Sequence, residues 1–205
     1  MENNNVRISG IIDEPLTMSY ENNNMKFYEG KIRVKRTSGV FDTIPITIPE
    51  KLAPNGVAQC YVTIIGEFRS FNKIVDGKSK LMLTVFAKEI IENHAEIFEN
   101  SAILHGYICK EPIYRETPFN KQITDILLAV NRNYNKSDYL PVIAWGKNAR
   151  LTKDLSIGTE VHIKARLQSR EYTKNGEIKT AYEVSTMSIE VSPCEFEPLE
   201  EVELW

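Results

Sequence analysis

The chain has 205 residues, of which 42% are hydrophobic, 9% aromatic and 26% charged. This is close to the globular average and excludes a disordered, collagen-like or coiled-coil chain. The formal net charge of −3 argues against the strongly basic surface usually sought in nucleic-acid-binding proteins. No uncharged apolar run approaches the ~18 residues of a membrane helix, and the first residues lack the order of a secretory signal, so we expect a cytoplasmic protein with no membrane partner.

The acidic excess is concentrated at the C-terminal end of the sequence. Residues 1–98 carry 12 basic and 12 acidic side chains, and residues 99–192 carry 13 basic and 11 acidic ones. Residues 193–205 hold five glutamates and no basic residue. The rest of the chain can therefore present a modest basic face. The three cysteines are widely spaced and predict neither a disulfide framework nor a metal-binding CxxC pair.

An internal repeat divides the chain into two modules. Val34-Lys35-Arg36 aligns with Val130-Asn131-Arg132 at an offset of 96 residues, and the alignment continues without a gap for twenty positions. Further along, the offset becomes 99 residues and pairs Ser70 with Ser169. The predicted organisation is a first module at 1–92, a linker at 93–100, a second module at 101–192 and an acidic tail at 193–205.

The first module contains fewer clear signals than the second. Pro49 and Pro54 enclose a segment in which the two prolines allow little more than a turn. Asp76-Gly77 then predicts a tight turn between the last two strands of this module.

The second module has the pattern of five short strands with one helix. Residues 147–155 predict a short helix between the third and fourth strands, because Ala149, Leu151 and Leu155 follow helical spacing. Asn175-Gly176 predicts a tight turn before the last strand. The predicted strands, rich in β-branched and aromatic residues, are 102–108, 123–130, 139–144, 161–167 and 181–187.

This order of elements is typical of the OB fold, a five-stranded Greek-key barrel with one helix between its third and fourth strands. The first module has the same spacing, with the turn at 49–54 in place of the helix. The predicted fold class is therefore all-β, with two tandem OB-fold barrels.

Several motifs follow one another along the second module. They are Gly106, Glu111-Pro112, residues 128–132 (Leu-Ala-Val-Asn-Arg), residues 144–149 (Ala-Trp-Gly-Lys-Asn-Ala), Gly158 and residues 166–172 (Arg-Leu-Gln-Ser-Arg-Glu-Tyr). In this order they resemble the bacterial single-stranded DNA-binding protein family over nearly the whole module. Two modules in one chain also resemble the family members that carry paired OB folds.

The resemblance implies a set of binding residues and a function. In that family, aromatic residues stack on unpaired bases while neighbouring cations neutralise phosphates. The aromatic positions carried over are Tyr134, Tyr139, Trp145 and Tyr172. The cations are Lys136, Lys147 and Arg170, together with Arg132 and Lys174. The implied function is a non-catalytic protein that coats single-stranded DNA in replication, recombination or repair.

The residues themselves favour the same function, since single strands are held by aromatic platforms beside a cationic groove. Tyr134 lies in a polar stretch, and Tyr172 lies among charged neighbours. Tyr139 and Trp145 are six residues apart and share one strand face if the strand is straight. The alternatives are ordinary half-exposed strand tyrosines and, for Trp145, a lid on the barrel mouth.

The first module departs from this pattern. The positions equivalent to the four aromatics are Ser38, Thr43, Pro49 and Lys73. The cations Arg33, Lys35, Arg36 and Arg69 remain available for phosphates. Its other aromatic residues could form a different surface, but most of them are expected to be barrel core; they are Phe27, Tyr28, Phe41, Phe68 and Phe71. Base stacking is therefore expected mainly on the second module.

The acidic tail and an exposed barrel edge suggest two kinds of partner. Family members end in an acidic, hydrophobic-tipped peptide that docks on replication and repair enzymes, and the comparable residues here are Glu200, Glu201, Glu203, Leu204 and Trp205. The tail lacks the family's long linker, and a folded extension remains the alternative. Since exposed edges pair and paired-module members dimerise, we expect a homodimer.

The alternatives to coating DNA are a protein-binding adaptor and an enzyme. An adaptor that binds proteins through its barrels, such as a primosomal factor, would fit the net acidic charge and the altered first module. No catalytic motif nominates an enzyme, and no cofactor or metal is expected. His94, His105 and His162 have no close carboxylate or cysteine partner at metal-ligand spacing, and His105 and His162, which lie in predicted strands, are expected to be ordinary wall residues.

Overall fold

The computed structural model describes residues 3–52, 60–75, 77–174 and 176–193. Its strands are β1 (Asn4–Ile12), β2 (Thr17–Asn22), β3 (Met25–Lys35), β4 (Phe41–Pro49), β5 (Cys60–Val75), β6 (Lys78–Glu92), β7 (Asn100–Ile108), β8 (Ile113–Glu116), β9 (Gln122–Arg132), β10 (Lys136–Trp145), β11 (Glu160–Lys174) and β12 (Glu177–Val191). One α-helix, α1 (Lys147–Thr152), and one 3-10 turn (Glu50–Leu52) lie within these ranges. None of the described helices is long and apolar enough to span a membrane.

The elements predicted from the sequence are all present in the second module, as β7, β9, β10, α1, β11 and β12. In the first module, the 3-10 turn takes the place of the helix; Pro54 lies outside the described residues. Sequence analysis misses β2 and β8, which pair only with the strands that follow them. Every residue of both strands is exposed, so neither has the alternation that a half-buried strand shows.

Each module closes into a barrel around its own apolar core. The first strand of each module pairs with the third along the chain, β1 with β3 and β7 with β9. Parallel pairs, β4 with β6 and β10 with β12, complete the wall. Inward-facing residues such as Ile8, Ile44 and Leu128 are fully buried. Both modules therefore have the closed Greek-key layout that the sequence predicts.

A glycine stands at the closing point of each barrel. A Cβ atom built on Gly10 would lie 2.1 Å from the carbonyl oxygen of Arg33, and one built on Gly106 would lie 2.3 Å from that of Ala129. Both obstructing atoms belong to the backbone of the strand that closes the barrel, so they cannot turn aside. Only a residue without a Cβ lets the strands approach this closely.

We expect Gly106→Ala to lower the free energy of unfolding by about 1–3 kcal/mol, because the added methyl group forces the closing strands apart. Urea unfolding followed by circular dichroism measures the change. Gly30→Ala is the control, since its nearest neighbour is the flexible side chain of Leu16 rather than backbone. Equal losses in the two variants would show that closure does not depend on the glycine.

The two barrels are joined edge to edge through their first strands. β1 pairs antiparallel with β7 from Asn4↔Leu104 to Ile8↔Asn100. The strands thus form one continuous twelve-stranded sheet in the order β2-β3-β4-β6-β5-β1-β7-β11-β12-β10-β9-β8. This order is symmetric about the β1–β7 pair, so the repeat in the sequence becomes an approximate two-fold axis in space.

A second set of contacts crosses between the modules and obeys the same symmetry. The Asp42 carboxylate accepts a hydrogen bond from the Ser169 N–H at 2.7 Å, and the Ser169 hydroxyl accepts one from the Thr43 N–H at 2.9 Å. Asp138 and Ser70 repeat the arrangement in the opposite direction, with N–H to carboxylate at 2.6 Å. We call these contacts the Asp–Ser bridges. The first bridge fixes β4 against β11, and the second fixes β10 against β5.

Candidate nucleic-acid interface

Trp145 is the last residue of β10, at the point where the chain turns into α1 through Gly146, which has a φ of 51°. β10 pairs with β9 over its whole length without a register shift. Tyr139 and Trp145 therefore lie on the same side of the strand, and both are exposed. The Trp145 ring is 36% exposed, and its Nε1–H donates to the Ser185 hydroxyl at 3.2 Å. This hydrogen bond fixes the ring in place while part of it faces solvent.

The depression next to Trp145 is lined by cations from both modules; we call it the Trp145 groove. Arg115, Arg166 and Arg170 of the second module line it together with Arg36 of the first. Lys35 and Lys121 lie in the adjoining depression, which also contains Trp145 and Phe98. The arrangement places a partly exposed indole among guanidinium and ammonium groups, as expected for a site that binds phosphate and bases together.

Sequence analysis missed several of these cations. Arg115 lies on the unpredicted β8, Lys121 directly precedes β9, and Arg166 is part of a predicted motif but not of the predicted site. Arg166 and Arg170 are four residues apart along one strand, so alternation alone places them on one face. That spacing is the signal that could have identified Arg166. Lys35 and Arg36 are among the cations expected to contact phosphates, but the fold and not the sequence spacing brings them close to Trp145.

Tyr172 lies apart from Trp145, in a depression between the modules. Its ring is exposed on β11, with the Arg170 guanidinium 5.9 Å from the ring centroid. Phe71 of the first module and Tyr182 line the same depression, which has a volume of about 660 Å³. Glu183 lines both this depression and the Trp145 groove, so the two depressions meet at a carboxylate.

The turn between β9 and β10 carries Tyr134, which is 93% exposed and has a φ of 63°. Together with Arg132 and Lys136 it lines a depression against Arg69 and Lys88 of the first module. These three predicted site residues are therefore turned toward the first module and away from Trp145.

The remaining predicted residues occupy separate positions. Tyr139 lies beside the first module, and its N–H donates to the Ser70 hydroxyl at 2.7 Å. Lys147 begins α1 and Lys174 ends β11, and both are exposed. The tail residues Glu200, Glu201, Glu203, Leu204 and Trp205 lie outside the described residues.

Asp138, next to Tyr139, is fully buried and has an altered acidity. Burial raises the pKa of its carboxyl group and outweighs the Ser70 N–H and the nearby Arg132 charge, both of which lower it. Arg132 Nε lies 3.1 Å from Asp138 Oδ2. The unfolded chain ionises at the ordinary carboxyl pKa. The folded state therefore keeps its proton to higher pH, and this group makes folding less favourable as pH rises through the interval between the two pKa values.

We expect Asp138→Asn, which retains an acceptor for the Ser70 N–H, to remove this titration. As pH rises from the ordinary carboxyl pKa through the raised one, the wild-type protein should lose stability relative to the variant. Above that interval the difference should be constant. Urea unfolding of both proteins at a series of pH values measures this difference in stability. If the wild-type protein instead gains stability relative to the variant as pH rises, the expected direction is wrong.

The expectation for the histidines is wrong in one respect. Strand pairing places His105 directly opposite His162, and their rings stack at 4.2 Å. His105 Nε2 lies 2.5 Å from Glu160 Oε1, so it has a carboxylate partner. The Tyr107 hydroxyl donates to the same carboxylate at 3.2 Å. His105 and Glu160 are 55 positions apart, so their spacing gives no sequence signal. Glu160 and His162, in contrast, lie on one face of β11, and this spacing could have indicated the cluster.

The expectation that most first-module aromatics are core is correct for Phe68, which is buried, but wrong for two others. Phe41 and Phe71 are exposed. Phe41 lines the Trp145 groove and Phe71 lines the depression that contains Tyr172. Phe27 and Tyr28 are half-buried. The first module thus contributes aromatic rings to the surface that the sequence assigned mainly to the second.

Comparisons with known proteins match the second module. The family model described as "Single-strand binding protein family" matches residues 99–192. The single-stranded DNA-binding protein of Clostridium tetani is 34% identical over 93 residues, which cover 42% of this chain and 64% of that protein. The single-stranded DNA-binding protein 2 of Staphylococcus aureus is 31% identical over 99 residues, covering 44% of this chain and 70% of that protein. The chain thus spans slightly less than two thirds of the first relative's length.

A solved structure is similar over both modules. The wild-type single-stranded DNA binding protein from Thermus aquaticus has a TM-score of 0.74 over 94% of this chain and 93% of that chain, at 19% identity. At this identity the likeness concerns the fold alone. It confirms the predicted all-β fold of two tandem OB barrels.

Proposed function

The chain belongs to the single-strand binding protein family, and on that premise we propose that it coats and protects single-stranded DNA in replication, recombination or repair. Bases would stack on Trp145 and the exposed tyrosines, while the surrounding arginines and lysines neutralise phosphates. The proposal includes no catalytic step.

The Trp145 groove is the observation that carries this proposal. Four arginines line the same depression as an indole that is held by one hydrogen bond and remains partly exposed. The predicted residues Tyr134, Tyr139, Tyr172, Lys136, Lys147, Arg132, Arg170 and Lys174 remain part of the proposed interface.

Titration with oligo-dT at two salt concentrations tests the proposal through tryptophan fluorescence. We expect quenching that requires more DNA at higher salt, because bound cations on DNA are released when the protein binds phosphates. Repeating the titration with Trp145→Phe separates the signal of Trp145 from that of Trp205. An absence of binding at low salt would favour a protein-binding adaptor, and degradation of the oligonucleotide would indicate a nuclease.

We also propose that the protein is a homodimer. β2 and β8 form the two ends of the described sheet and are exposed throughout, and exposed edges tend to pair. Ile103 on β7 and Met187 on β12 add exposed apolar side chains elsewhere on the sheet. We expect light scattering at tens of micromolar to give twice the chain mass of 23.5 kDa. A monomer at that concentration would contradict the proposal.

A further inference from the structure

We infer that the first module holds a second stretch of the same DNA strand, on aromatic rings at positions different from those of the second module. The strand would continue from the Trp145 groove past Tyr172 and Phe71 to Tyr20. The inference rests on the proposed function and extends it, since the four stacking positions carried over from the family are not aromatic in this module.

The first observation is an exchange of a ring and a cation along equivalent strands. β11 presents Arg170 and, two residues later, Tyr172. The equivalent positions of β5, at the offset of 99 residues, are Phe71 and Lys73. The strand pairing confirms the equivalence, because Phe71↔Met82 and Arg170↔Ala181 occupy matching registers. Each strand therefore offers one ring and one cation on the same face, in opposite order.

A second exchange occurs where Trp145 lies. In the second module, the Trp145 ring is hydrogen-bonded to Ser185 of the adjacent strand. In the first module, proline replaces the tryptophan at position 49, and Phe86 stands at the position equivalent to Ser185. The aromatic ring therefore lies on β10 in the second module but on β6, the strand paired with β4, in the first. Arg69 lies over it, with the guanidinium 3.9 Å from the ring centroid.

Tyr20 adds an exposed platform beside these residues. Its ring stacks on Phe27 at 4.6 Å with an interplanar angle of 12°, and Phe27 in turn contacts Phe86 at 5.9 Å. The Tyr20 ring is held on one side by Phe27 and is 42% exposed. A ring fixed in this way binds a base without first losing much side-chain freedom. Tyr20 lies on β2, a strand that the sequence did not predict.

Tyr20, Phe71, Phe86, Arg69 and Lys73 line one depression, which Arg132 of the second module completes. Phe71 also lines the depression between the modules, together with Tyr172. The exposed rings are therefore linked by shared walls from Trp145 to Tyr20. Acidic Glu14 and Glu29 lie at the middle depression, so stacking rather than charge would hold the strand where it crosses between modules.

The test uses the full chain with the double substitution Tyr20→Ala and Phe71→Ala. Both rings are more than 40% exposed, so the variant should fold, and thermal melting checks this. The control is Tyr107→Ala, which removes a 38% exposed tyrosine that lines none of the depressions described above and lies beside Glu160. Fluorescence anisotropy is measured with an oligo-dT of about 8 nucleotides, within the range one OB fold covers, and with long poly-dT.

We expect the double variant to bind long poly-dT at least about fivefold more weakly than the wild-type protein and to cover fewer nucleotides per chain at saturation. Trp145 quenching by the short oligonucleotide should be unchanged, and the Tyr107→Ala control should match the wild-type protein in both assays. If the wild-type protein binds poly-dT but the double variant has the same affinity and site size, the inference is wrong and the proposed function stands. If the wild-type protein does not bind, both fail.

Discussion

Asp42→Ala should lower the free energy of unfolding by about 3 kcal/mol, because it leaves the partly buried Arg36 guanidinium and Ser169 N–H without their partner. The Asp42 carboxylate is fully buried and accepts bonds from Arg36 Nε and a terminal nitrogen at 2.6 and 2.5 Å. It also accepts the Ser169 N–H of the other barrel. Alanine leaves the Arg36 guanidinium without its carboxylate partner and removes one Asp–Ser bridge. Denaturant unfolding measures the loss.

Asp125→Ala provides a matched control for this prediction. Asp125 makes a similar two-point contact with Arg115, at 2.7 and 3.1 Å, but both side chains are about 40% exposed. Water replaces the lost partner there, so the cost should stay below about 1 kcal/mol. If the two substitutions cost the same, burial of Asp42 does not determine the strength of the bridge.

Trp145→Ala should weaken oligo-dT binding by about 1–3 kcal/mol, or about five- to 150-fold, because it removes the stacking surface at the centre of the arginine cluster. The ring is only partly buried and makes one side-chain hydrogen bond, so stability should change much less than affinity. Fluorescence anisotropy of labelled oligo-dT measures the affinity, and thermal melting measures the stability.

Trp145→Phe is the conservative comparison for that prediction. Phenylalanine retains a π-face but loses the indole N–H that bonds Ser185. It should recover most of the affinity if stacking is the main contribution. An alanine variant that binds DNA as tightly as the wild-type protein would remove Trp145 from the interface.

The sequence predicts the structure correctly where neighbouring residues along one element determine its conformation and its exposed face. The barrel strands, α1 and the shared face of Tyr139 and Trp145 all follow from local alternation and spacing. The unbroken pairing of β10 with β9 preserves that alternation to the last residue of the strand. Local patterns fail at β2, which has no buried face and therefore no periodic signal.

Contacts between the modules could not be predicted in the same way. The alignment pairs Asp42 with Asp138 and Ser70 with Ser169, but it does not show that each aspartate bonds the serine of the other copy. Nothing in the spacing of Arg36 and Trp145, more than 100 residues apart, indicates that they line one groove. Treating the modules separately therefore assigned Tyr134 and Arg132 to the second module alone, although both face the first.

The pairing of β1 with β7 within one chain affects how the proposed DNA-binding surface can change by mutation. When two identical chains pair about a two-fold axis, every substitution appears twice, so both halves must tolerate it. Here the two halves are encoded separately, and a substitution alters one of them. Phe71 and Lys73 can therefore differ from Arg170 and Tyr172 while the β1–β7 ladder and the paired aspartates remain the same on both sides. Covalent linkage of the two barrels lets one half vary its contacts with a bound strand while the other retains them.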